Sequence, residues 1–208
     1  MKLLKKLFFV IVLSSSSLAM ADSPLTSTYF ADVYKDVSIV QKAMQANGEL
    51  TLEIMDYLAN PENPIDVKAA AINAIGWEGE YPNYRTFLEY LKKKYNETSD
   101  ITMLYVLDSH TLISLAYVRA LDNYADVREA NVIAYLAKER NITSVTTNMI
   151  SALILGQLAL NFDWSVIYPA CHNVLTDPNA VLDIRQEAIV KIMEYINEYA
   201  KYAKDANM

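Results

Sequence analysis

Glycine, cysteine and histidine are scarce in this chain of 208 residues, and each shortage excludes a kind of site. Four glycines are too few to build a glycine-rich loop around phosphate groups. A single cysteine, Cys171, excludes an internal disulfide. The two histidines, His110 and His172, form no pair at the spacing that a zinc site requires. The sequence therefore predicts no metal ion, no cofactor and no catalytic residue.

The first 21 residues have the three parts of a secretory signal peptide. Lys2, Lys5 and Lys6 form a basic start, residues 7–13 an apolar run, and residues 19–21 a small-x-small cleavage pattern. We expect cleavage before Asp22, export to the periplasm or secretion, and a single all-helical domain over residues 22–208. Since a membrane span needs about 20 apolar residues, the short run predicts no stable membrane insertion.

Positive charge is also in short supply. Without the three leader lysines, residues 22–208 hold 15 basic and 25 acidic side chains, a net charge of −10. Such a chain repels phosphate backbones, so we expect no nucleic-acid partner. A basic protein, by contrast, would be attracted.

Apolar residues recur at steps of three and four along the chain, which predicts an all-α fold. Asn63 is expected to cap the helix that follows it, and Gly76 to end that helix. Because every connection is short, successive helices should pack antiparallel as helical hairpins. The predicted helices span 30–46, 50–59, 65–76, 83–95, 101–121 with a break near Asp108 and Ser109, 124–139, 144–160, 163–175 and 182–203.

Residues 66–76 and 84–91 resemble one HEAT-like hairpin, in which small alanines let two helices approach closely. Aligning Ala74 with Ala120 and Ala159 gives repeat steps of 46 and 39 residues, in or close to the 40–47 range of HEAT and armadillo repeats. The resemblance implies an α-solenoid. Similar triplets beginning at Asp66, Asp126 and Asp183 lie 60 and 57 residues apart and do not fit that register. An irregular helical bundle is therefore the alternative.

The best candidate for a functional surface is the aromatic and acidic loop 77–84. It sets Trp77, Tyr81 and Tyr84 beside Glu78 and Glu80, and aromatic residues surrounded by charge are typical of protein-binding hot spots. Alternatively, Trp77 and Tyr84 close the hydrophobic end of their own hairpin.

Charge, compartment and this loop together predict an exported, non-enzymatic protein-binding protein. Its function would be that of an inhibitor or immunity protein that neutralises a basic toxin or a cell-wall-degrading enzyme. One alternative is a periplasmic enzyme that acts on the cell wall through the carboxylates of Glu78 and Glu80 or through Cys171 and His172. Another is a HEAT-like scaffold of an envelope complex. A lone cysteine in an apolar helix is expected to be buried.

The leader generates the first testable prediction. Sequencing the N-terminus of exported protein should give Asp22, or a residue one or two positions away, because residues 19–21 fit the cleavage pattern. Exported protein that retains the basic start would contradict it.

Overall fold

The computed structural model describes residues 22–77 and 81–205, and these ranges are all-α with no strand; the predicted leader, residues 1–21, lies outside them. None of the helices in these ranges has the length and apolar character needed to cross a membrane. The helices are α1 (Ser38–Gln45), α2 (Leu52–Leu58), α3 (Ile65–Ile75), α4 (Asn83–Tyr95), α5 (Asp100–Val106), α6 (Ser109–Asp122), α7 (Arg128–Arg140), α8 (Val145–Ala159), α9 (Ile167–Thr176), α10 (Gln186–Ile196) and α11 (Ala200–Asp205), with 3₁₀ turns at Ala31–Tyr34, Trp164–Val166 and Asn197–Tyr199.

Three helices, α3, α6 and α8, form the centre of the fold. Nearly all their residues are buried, and each of the three contacts the other two. A helix that is apolar all round has no face to present to water, so it is stable only when other elements surround it. The small side chains of Ala69, Ala70 and Ala71 let α3 approach its neighbours closely.

The surrounding helices bury one stripe each. In α4 the buried stripe contains Phe87, Leu88 and Leu91, while Lys93 and Lys94 are exposed. The consecutive helices α6, α7, α8 and α9 pack on one another. Ser109 at the start of α6 donates to the carbonyl of Ala137 near the end of α7 at 2.8 Å. The first two of these helices are therefore antiparallel, as the short connections predicted.

The beginning and the end of the described chain are joined at Arg185. Its guanidinium donates to both carboxylate oxygens of Asp36, at 2.6 and 3.0 Å, and lies 4.4 Å from the centre of the Tyr34 ring. The backbone N–H of Arg185 donates to the Tyr34 hydroxyl at 3.0 Å. These contacts place the turn Ala31–Tyr34 against α10, so packing is not confined to neighbouring hairpins. The resemblance to HEAT repeats stays a prediction.

Most predicted helices are present, and the predicted break is confirmed, because Asp108 caps α6 by accepting from the Thr111 N–H. The single helix predicted at 30–46 is instead a 3₁₀ turn followed by α1. The helix predicted at 182–203 begins at Gln186, as α10, since the Val181 N–H donates to the carbonyl of Thr143 at 2.7 Å and holds that segment extended; the 3₁₀ turn Asn197–Tyr199 then separates α10 from α11.

The predicted cap at Asn63 is wrong. Pro64 occupies the N-cap position of α3 without a side-chain bond, and the Asn63 side chain donates instead to the carbonyl of Tyr57 at 2.8 Å. The predicted end of the same helix is confirmed. Gly76 follows α3 with φ of 75°, a backbone conformation that glycine adopts without steric cost.

Lys68 is a buried cation in the centre of the fold. Its side chain is fully buried, and its Nζ has no hydrogen-bond partner in the part of the chain that the structure describes. Burial lowers the pKa of Lys68 to about 8, an effect that Asp108 partly offsets and Lys94 increases. A buried charge without a partner destabilises the folded state.

We predict that Lys68→Met stabilises the protein by about 1–3 kcal/mol at pH 7. Between about pH 8 and 10.5 the unfolded chain keeps the lysine proton while the folded chain releases it, so wild-type stability rises through this window and the advantage of the variant shrinks. Urea unfolding at pH 7 and pH 10 measures both effects. Lys93→Met, in the exposed last turn of α4, is the control and should change stability by less than about 0.5 kcal/mol. A Lys68→Met variant that is no more stable than wild type would refute the prediction.

Candidate protein-binding surface

Trp77 lies directly after Gly76 and is partly buried against the core. Its indole packs edge-on against the ring of Tyr124, with centroids 5.1 Å apart and an interplanar angle of 74°. This is the arrangement that aromatic quadrupoles favour. The contact fixes the point where the chain leaves α3.

Tyr84 is held by a network of charged groups at the start of α4. Its hydroxyl donates to Glu129 Oε1 at 2.7 Å and its backbone N–H to Asp122 Oδ2 at 2.7 Å. The guanidinium of Arg119 lies 5.3 Å from the centre of the Tyr84 ring and donates to Glu129 Oε2 at 2.7 Å. Tyr84 therefore joins α4 to α6 and α7.

The surroundings of Tyr84, Asp122 and Glu129 shift the pKa values of these three side chains in different directions. Burial raises the pKa of Tyr84, and the bond to Glu129 raises it further. Burial also raises the pKa of Asp122, against the opposing hydrogen bond from the Tyr84 N–H. Burial alone would raise the pKa of Glu129 as well. The hydrogen bonds from Arg119 and Tyr84 outweigh this effect, so the pKa of Glu129 is lowered. Glu129 is therefore held as a carboxylate.

Among the predicted site residues that the structure describes, Tyr81 is the most exposed, with 44% of its area at the surface. The backbone nearby is fixed by Asn83, whose side chain accepts from the Leu50 N–H at 2.8 Å and donates to the Gly48 carbonyl at 2.7 Å. The other two predicted site residues, Glu78 and Glu80, lie outside the described residues.

Beside Trp77 the structure forms a cavity of about 280 Å³. Leu25, Tyr29 and Leu121 contribute to its walls together with Gly76 and Trp77. Tyr29 is 48% exposed and was not predicted from the sequence. It comes from the N-terminal segment, which has no helical periodicity to indicate which side chains face solvent. Only the fold places Tyr29 beside the end of α3.

Cys171, His172 and His110 lie in different surroundings. Cys171 is buried, as predicted, and burial raises its pKa to about 12. The neighbouring His172 is exposed and stacks on Tyr168, with ring centroids 5.1 Å apart. His110 lines a different cavity, beside Pro64 and Arg185. Within residues 22–77 and 81–205, no group of three His, Cys, Asp or Glu side chains could hold a metal ion.

Comparison of the chain with models of protein families, with curated proteins and with solved structures gives no match in any of the three. The functional argument therefore depends on the geometry of the molecule.

The third prediction concerns Tyr84. Tyr84→Phe keeps the ring but removes the bond to Glu129, so we expect a loss of about 0.5–1.5 kcal/mol in the free energy of unfolding at pH 7. Because the depressed pKa of Glu129 contributes stability only while the carboxylate is ionised, the loss should shrink as pH falls to about 3.

Urea unfolding at both pH values measures the loss. Tyr105→Phe is the matched control, since Tyr105 is 71% exposed on α5, and it should leave stability unchanged within about 0.5 kcal/mol. Equal effects of the two substitutions would show that the Tyr84–Glu129 bond contributes nothing to stability.

Proposed function

We propose that this is an exported, non-enzymatic protein that binds a basic protein, as an inhibitor or immunity protein against a toxin or a cell-wall-degrading enzyme. The observation that carries the proposal is a pair of half-exposed tyrosines: Tyr29 lines the cavity beside Trp77, and Tyr81 follows Trp77 by four positions along the chain. We give the three residues Tyr29, Trp77 and Tyr81 the name tyrosine surface.

The construction of the tyrosine surface suits protein binding. Aromatic side chains offer a large contact area with few rotatable bonds, and the tyrosine hydroxyl stays in water before the partner arrives. The chain is held at Trp77 by the contact with Tyr124 and, two residues after Tyr81, by the hydrogen bonds of Asn83. Side chains on anchored backbone lose little conformational entropy on binding.

Net charge supports a basic partner. The predicted mature chain carries a charge of −10, and long-range attraction of this kind accelerates encounter with cations. Hydrogen bonds keep several carboxylates ionised: Arg185 lowers the pKa of Asp36, and Lys92 lowers that of Asp100. These acids therefore retain their negative charge although they are engaged in local contacts.

A scaffold in an envelope complex is the second candidate. Helices α5 and α7 also expose large apolar side chains, including Ile101 and Tyr105 at 71% and Val132 and Tyr135 at 58%. A protein with apolar side chains exposed on more than one face can bind more than one partner. A scaffold would assemble a ternary complex, whereas an inhibitor would reduce the activity of one partner.

The fourth prediction tests the tyrosine surface. After capture of the partner with exported protein, Tyr29→Ala and Tyr81→Ala should each raise the dissociation rate roughly tenfold, because they remove aromatic anchors. Raising salt above physiological levels should slow association several-fold and change dissociation much less. Surface plasmon resonance measures both rates.

Tyr105→Ala is the control, since it removes a tyrosine of α5 that is even more exposed than Tyr29 and Tyr81, and its dissociation rate should equal that of the wild type. An acidic partner, or rates unaffected by both salt and the substitutions at Tyr29 and Tyr81, would reject the proposal. Dissociation accelerated only by Tyr105→Ala would move the interface to α5.

A further inference from the structure

Helix α7 presents a stripe of exposed residues on the side that faces away from the core. The members of the stripe follow one another at steps of four, three and four positions, and they are Arg128, Val132, Tyr135 and Glu139. This spacing places all four side chains on one face of the helix, and it is the spacing of the seam along which two helices pack. We give these four residues the name outer face of α7.

The middle of the outer face is apolar. Val132 and Tyr135 are each 58% exposed, and they are neighbours on the helix surface because they lie three positions apart. A charged side chain lies at either end of this pair. An apolar centre with a polar rim is the usual construction of a protein–protein contact. The outer face of α7 therefore suits the binding of another helix.

The two charges of the outer face have opposite signs and lie at equal distances from its middle. Arg128 comes four positions before Val132, and Glu139 comes four positions after Tyr135. In a two-fold symmetric contact with an antiparallel second copy of α7, Arg128 therefore meets Glu139 of the second copy. The same symmetry places Val132 opposite Tyr135 of the second copy. A parallel copy would instead set like charges opposite each other, so the outer face is complementary to itself in one orientation.

Both charged groups are accessible to a second copy. The guanidinium of Arg128 donates to Asp126 through Nε at 2.8 Å and through Nη2 at 2.6 Å, yet 78% of the Arg128 side chain is exposed. This pair occupies two of the five N–H groups of the guanidinium and fixes its orientation, so the others remain for a second carboxylate. Glu139 is exposed and forms no ion pair with residues of 22–77 or 81–205.

The charge balance of α7 allows two copies to approach each other. The predicted mature chain carries a charge of −10, so contact between two acidic faces would be opposed by repulsion. Helix α7 holds three basic and two acidic side chains, and Asp126 shortly before the helix balances the third basic one. The outer face therefore lies in a region without excess negative charge.

We propose that a second copy of this chain binds to the outer face of α7 and forms an antiparallel, two-fold symmetric helix pair. A helix of 13 residues is about 20 Å long, and a contact of this length belongs to the small class of interfaces. The dimer is therefore weak and dissociates on dilution. The outer face shares no residue with the tyrosine surface, and the dimer is measured without any other partner, so this proposal and the function proposed above fail or succeed separately.

The test is sedimentation equilibrium of exported protein at concentrations from about 1 μM to about 1 mM, a range that covers weak association. We expect the average mass to rise from that of one chain towards that of two. Arg128→Glu and Glu139→Arg should each weaken dimerisation roughly tenfold or more, because each sets like charges opposite each other at two symmetric points. Lys35→Glu is the matched control: it reverses an exposed charge that directly follows the turn Ala31–Tyr34, and it should leave dimerisation unchanged.

A mixture of the two variants tests the register of the helix pair. When Arg128→Glu protein meets Glu139→Arg protein, opposite charges face each other at both points, so the mixture should dimerise about as strongly as the wild type although neither variant does so alone. The double variant Arg128→Glu/Glu139→Arg should also recover dimerisation. A wild type that is monomeric over the whole range, a dimer that both single substitutions leave unchanged, or a mixture that stays monomeric would overturn the proposal.

Discussion

The need to cover three central helices without a polar face governs this fold. Because α3, α6 and α8 are buried nearly all round, the rest of the chain must surround them on every side. Amphipathic helices cover part of this surface. The N-terminal segment covers more, and Leu25, Phe30 and Tyr34 are buried in the core. Contacts of Arg185 with Asp36 and Tyr34 then hold the two ends of the described chain together.

Polar groups in the centre show two opposite outcomes of that burial. The Asn73 side chain accepts from the N–H groups of Phe30 and Ala31, at 2.7 and 2.9 Å, and donates to the Thr28 carbonyl and the Tyr117 hydroxyl. It is therefore fully satisfied, and it ties the N-terminal segment to α3 and α6. Lys68, on the same helix, is buried without a hydrogen-bond partner in the described chain. One residue stabilises the centre, and the other weakens it.

The sequence by itself determined the helical class, because the spacing of apolar residues records locally which face of each helix avoids water. It also determined three local features: the end of α3 at Gly76, which has a positive φ, the break at Asp108, which is an N-cap, and the burial of Cys171 on an apolar helix face. Each of these features depends on residues that are near in sequence. Only the tertiary structure decided the role of groups that meet across the chain. Tyr29 reaches the cavity beside Trp77, Glu129 binds Tyr84, and Val181 holds its segment extended by pairing with Thr143. Each of these contacts joins residues more than thirty positions apart, and local periodicity carries no information about such distances.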